Sequence, residues 1–278
     1  MFGRRVQCPV GAADREWVED SFVWLAARLG VSPLSGAVVL PTSEYFPGPF
    51  SGDPEQMEGL VNGVAAAMRM GAGEWVTVVP FVRSSGATVQ RGLTGCAGYP
   101  GGAFRSGANG SVLALDPALA ARPVALVATI SHMLGHLRFV GQRGIPSPHT
   151  TREQLIELHA VYTGFGVFGA NAAVEVEVDP SANRRAAASR GLSQGRAKVH
   201  HCGYLTEEVH GYALACFALM RGELRPQWLK HLDTNPHTYA RQSLRYLAQH
   251  PVERLLAVQA GIVSAPSPTP AANPACPL

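Results

Sequence analysis

The chain has no C-x-x-C pair, no block of like charge and no uninterrupted run of apolar residues long enough to cross a bilayer. Its five cysteines, Cys8, Cys96, Cys202, Cys216 and Cys276, are odd in number and widely scattered, so neither a disulfide framework nor a zinc knuckle is indicated and a reducing compartment is predicted. No apolar h-region follows the opening MFGRRVQCPVGAADREW, so no secretory signal is expected and the cytoplasm is the predicted location. The longest apolar stretch, 123 to 140, holds His132, His136 and Arg138, which a membrane span would have to bury. A formal charge of +3 from 23 basic and 20 acidic residues is too small to argue for a nucleic-acid partner. No repeat of 20 to 50 residues is visible.

What is present is a core. Hydrophobic residues make up 46% of the 278 and charged ones 15%, the balance of a globular chain. Spacing of Trp17, Phe22, Leu25 and Leu29 predicts a helix over 12 to 29 that stops at Gly30. AVVLP (37 to 41) reads as a short buried strand, and Asp53-Pro54-Glu55 as the capped start of a helix reaching about Met70. Strands are expected at 75 to 81 and 111 to 116, with loops or short irregular strands in the glycine-rich stretch between them. A helix from Pro123 to about Gly141 carries both histidines, and a linker over 145 to 150 leads to a second helix ending near Gly164. Val174, Val176 and Val178 alternate as in a strand, residues 181 to 201 read as a basic loop, and Thr206 caps a helix through Met220. One or two further helices follow to His250. The expected organisation is a single domain over 1 to 262 and a disordered Pro/Ala-rich tail over 263 to 278.

His132 and His136 lie four apart on a helix, one turn from each other on one face, so both imidazoles reach one ion. With ten histidines in the chain this spacing is weak on its own. Zinc takes a third protein ligand, and the next helix offers carboxylates at Glu153 and Glu157, again one turn apart. Bland readings stand beside this one. Thr150-x-x-Glu153 is a capping box, Glu157 fits a solvent-facing site, and the histidines fit a core in which backbone carbonyls satisfy them.

The segments SHMLGHLRFVG and REQLIELHAVYTGFGVFGAN resemble zincin metallopeptidases of the gluzincin kind, in which H-E-x-x-H is followed on a later helix by E-x-x-x-D. They are most similar to bacterial proteins whose corresponding segments read approximately HELGH and EPLTDLLTVFFGLGIFTAN. VVLPTSEYFPGPF and GYLTEEVHGYALACFA extend the resemblance over most of residues 1 to 225. It implies an α+β zincin-like domain with a small sheet packed on the motif helix and additional C-terminal helices. It also implies zinc as cofactor, with His132, His136 and Glu153 as ligands and Glu157 as the acid orienting the first histidine.

One position departs from the pattern. Met133 stands where the family has the glutamate that takes a proton from zinc-bound water, and a thioether cannot do this. The function implied is a catalytically impaired metallopeptidase homologue that acts by binding a peptide or protein partner. The alternatives are a zinc hydrolase using Glu153, Glu157 or another residue as base, and a metal-free structural or interaction protein. Other patterns carry less. Gly164-x-Gly166-x-x-Gly169 closes a helix rather than following a strand, Gly191-x-Ser193-x-Gly195 lies in a polar loop, and the arginines of 184 to 198 lack interleaved aromatics.

Overall fold

A computed structural model describes residues 6–46, 50–71, 76–80, 94–96, 99–107, 110–139, 149–178 and 197–262. Helix α1 (Ala12–Leu29) ends at Gly30, whose φ of 70° is one glycine adopts at no steric cost. Helix α2 (Pro54–Ala67) starts as its sequence predicts, with the Asp53 carboxylate accepting the Glu55 amide at 3.4 Å. Strands β1 (Val76–Pro80), β2 (Thr94–Cys96), β3 (Tyr99–Gly107) and β4 (Gly110–Leu115) form a mixed sheet in the order β1-β4-β3-β2, parallel only between β1 and β4.

The motif helix α3 (Pro123–Phe139) packs on that sheet. It is apolar almost all round, as a helix buried between layers must be. Its two hydroxyl residues bond to its own backbone, Thr129 donating to the Ala125 carbonyl at 2.8 Å and Ser131 to that of Ala128 at 3.0 Å. Arg138, at its end, donates to the Arg69 carbonyl at 2.9 Å and so ties α3 to the end of α2. Next come α4 (His149–Tyr162) and the short α5 (Gly166–Ala172). A second, two-stranded sheet pairs β5 (Val174–Val178) with β6 (Ala197–His201), and α6 (Glu207–Met220), α7 (Thr234–Gln249) and α8 (Glu253–Gln259) close the chain. The class is α+β, as expected.

Apolar side chains gather into two main clusters. One joins α1, most of the inward face of α4, and α6 to α8; the other joins α2, α3, the four-stranded sheet and Phe165 and Phe168. Helices α3 and α4 meet along the seam between them. In the first cluster Glu19 accepts from Tyr212 and, at 2.6 Å, from Arg254, joining α1, α6 and α8 through a buried acid.

Three expectations need correction. Residues 37 to 41 form no strand; the Val39 amide donates to the Gly164 carbonyl at 3.0 Å, and the Thr42 amide turns back to the Leu40 carbonyl at 2.8 Å. The glycine-rich stretch contains β3, a nine-residue strand. Of the basic loop expected over 181 to 201, the last five residues are β6. The tail over 263 to 278 and the linker over 145 to 148 lie outside the described residues. Among the described residues no helix is long and apolar enough to cross a membrane.

Candidate metal centre

Gly135 sits on α3 between the two histidines, and its missing side chain brings α4 close. A Cβ there would lie 2.6 Å from Cγ2 of Ile156 and 3.3 Å from Nδ1 of His159. That approach carries Glu153 onto the histidine face. Its Oε2 lies 3.0 Å from Nε2 of His132 and 3.1 Å from Nε2 of His136, and the three ligand atoms all fall within 4.8 Å of one another. Zinc bonds of about 2.1 Å in tetrahedral array set ligand atoms about 3.4 Å apart, so each histidine–Glu153 pair needs to open by only a few tenths of an ångström to take an ion. His132 is 0% and Glu153 1% exposed, while His136, at 13%, forms the outward edge.

The charge states suit a cation. Burial drives the His132 pKa down to about 4, more than its Glu153 contact raises it, so the imidazole is neutral at physiological pH. Burial alone would raise the Glu153 carboxyl, but the hydrogen bonds from His132 and His136 outweigh it and hold the group well below the usual carboxylate range. A neutral imidazole at His132 and an ionised carboxylate at Glu153 are the forms a divalent metal takes.

Glu153 therefore does not serve merely as the capping acid of its own helix. Glu157, also buried, is turned elsewhere than the sequence predicts. Its Oε1 accepts from the Tyr99 hydroxyl at 3.1 Å, and its Oε2 accepts from the Tyr204 amide at 2.5 Å and the Leu205 amide at 3.1 Å. Nε2 of His210 lies 3.4 Å from Oε1. Burial pushes the Glu157 pKa up to about 8 despite these donors. Nδ1 of His132, which this acid was expected to hold, is buried without a hydrogen-bond partner among the described residues.

Met133 is fully buried and points at the sheet. A Cβ on Gly102 of β3 would lie 3.1 Å from its Cε and 3.4 Å from its Cγ. Aromatic rings that sequence reasoning missed wall the centre: Tyr99 stacks on His132 with centroids 4.2 Å apart, Tyr204 lies 5.7 Å from the same ring, and Phe104 lies 5.9 Å from His136. Nothing in their local spacing marks them, because β3 and the segment before α6 reach the site only through the fold. A further buried histidine, His159, has neither ring nitrogen hydrogen-bonded among the described residues, and burial lowers its pKa to about 3.

The Gly164-to-Gly169 pattern falls at the junction of α4 and α5, where a Cβ on Gly164 would lie 2.8 Å from the Ala37 carbonyl oxygen, so it serves packing. Residues 191 to 195 are not among those described. The chain matches no protein-family model, no curated protein and no solved structure.

Proposed function

We propose that this chain is a zincin-like protein that holds zinc through His132, His136 and Glu153 and acts by binding a peptide or protein partner rather than by cleaving one. The observation that carries the reading is the convergence of three ligand atoms from α3 and α4, with a neutral His132 and an ionised Glu153 both out of contact with water. When bound, zinc would supply Lewis acidity and lower the pKa of a coordinated water.

Among the described residues none stands as a free proton acceptor at the expected place of the base. Met133 occupies the expected place of the base and faces the sheet. Glu153 is engaged by both histidines, and Glu157 is engaged by Tyr99, Tyr204 and Leu205. A hydrolase using either acid as its base would have to give up those contacts, which disfavours the working-enzyme alternative. Missing general-base catalysis costs about 10² to 10⁴ in rate.

Protein purified without added metal should contain near-stoichiometric zinc by mass spectrometry, and His136→Ala and Glu153→Gln should lose it. The native chain should not hydrolyse peptides measurably. Native protein without affinity for zinc would sink the metal reading. Robust hydrolysis abolished by His136→Ala would sink the impaired-enzyme reading.

A further inference from the structure

A histidine that binds metal through one ring nitrogen almost always donates from the other to a carboxylate, carbonyl or water, and that bond fixes the ring's orientation. His132 lacks such a bond at Nδ1 among the described residues, although it is fully buried. Something else has to hold the imidazole toward Glu153 and His136.

We infer that Tyr99 is the positioning residue for His132, acting by ring stacking, and that Glu157 fixes Tyr99 in turn. For its bearing on metal binding this rests on the zinc reading above. The Tyr99 ring lies 4.2 Å from the imidazole with 28° between planes, which is close stacking. Tyr204 is nearly parallel to the imidazole at 24° but offset to 5.7 Å, and the two tyrosine rings are 6.4 Å apart. The three rings therefore form a packed cluster in which Tyr99 covers one face of His132.

Three distant parts of the chain meet to hold that cluster. Tyr99 comes from the start of β3, Glu157 from α4, and Tyr204 from the segment leading into α6. The Glu157 carboxylate joins them, taking the Tyr99 hydroxyl on one oxygen and the Tyr204 and Leu205 amides on the other. Gly203 makes this possible. It has a φ of 103°, and a Cβ there would lie 2.2 Å from Oε1 of Glu157. No other residue lets the backbone come down on the acid so closely.

The test compares Tyr99→Phe, which keeps the ring and loses the hydroxyl, with Tyr99→Leu, which loses the ring. Tyr99→Met fills the space if the leucine variant is unfolded. In metal-free protein, NMR of the His132 ring protons reads the stack directly, and titration with cobalt read by absorption gives affinity. Tyr99→Leu should lose the ring-current shift of His132 and bind cobalt about 10- to 100-fold more weakly, the cost typical of losing an outer partner. Tyr99→Phe should keep the shift, with intermediate affinity. Unchanged His132 shifts and unchanged affinity in folded Tyr99→Leu would overturn the inference. If native protein takes up no cobalt, the metal reading fails, and the ring shift alone decides the positioning role.

Discussion

Glu153 and Glu157 occupy one face of one helix, a single turn apart, both out of contact with water, yet they are held in opposite states. Glu153 meets two imidazoles and stays ionised; Glu157 meets a phenol, two backbone amides and a distant histidine, and its pKa rises to about 8. Burial acts alike on both. The difference lies in the partners: donors that carry or readily share positive charge offset desolvation, whereas fixed amides and a phenol offset only part of it. The first acid is thereby suited to a cation, and the second to holding chain segments together.

A third carboxylate near the pair would break the comparison most severely. Met133→Glu places an acid in the fully buried space between α3 and Gly102 of β3, and should lower unfolding stability by about 3 kcal/mol or more, measured by urea denaturation. A folded variant of undiminished stability would mean that the side chain escapes toward the histidine pocket.

Glu157→Ala should be next in size. It leaves the Tyr99 hydroxyl and the Tyr204 and Leu205 amides without their acceptor, each orphaned group costing about 1 to 3 kcal/mol, so a loss of a few kcal/mol is expected. In metal-free protein Glu153→Gln should change stability much less, because the amide keeps the shape of the carboxylate and an acceptor oxygen for the two imidazoles. Equal losses in the two variants would erase the distinction between the acids.

The smallest effect is on pH dependence in chelator-treated protein. Glu157 keeps its proton when folded up to about pH 8 but releases it near 4.5 when unfolded, so stability falls as pH rises through that window. His159 and His210 run the other way. They take up protons near 6.5 when unfolded, but only near 3 and 4 when folded, so stability falls as pH drops below 6.5. Because the histidines outnumber the acid below 6.5 and Glu157 acts alone just above it, the maximum should lie near pH 6.5. Glu157→Gln should flatten the alkaline limb, as read by melting temperature across a buffer series.

Much of the fold is legible because its signals are local. Asp53 and Thr206 cap their helices as expected, and Gly30 ends α1. The strand expected over 37 to 41 fails for a physical reason: an apolar run such as AVVL also suits a loop that packs one residue, Val39, into the core, and only the surroundings decide whether a neighbouring strand takes its amides. Strand β3 was obscured by glycines that the strand needs, since Cβ atoms at Gly101 and Gly102 would lie 2.7 Å from Leu119 and 2.6 Å from Thr129. At the centre, the two histidines and Glu153 could be read from helical spacing and the resemblance to zincins. Glu157 could not be placed, because its partners at Tyr204 and Leu205 are some 47 residues away in sequence. Tyr99 carries no motif at all.

The glycine between the two histidines has one more consequence. Gly135 lets α3 and α4 touch along the boundary of the two hydrophobic clusters, and the ligand set draws two residues from one side of that boundary and one from the other. An ion there would be a clasp across the interior. Its contribution would scale with the metal supply, reaching about 4 kcal/mol at a thousandfold excess over the dissociation constant. The joint between the halves of this protein would thus tighten or slacken with the free metal around it, whether or not any peptide is ever cut.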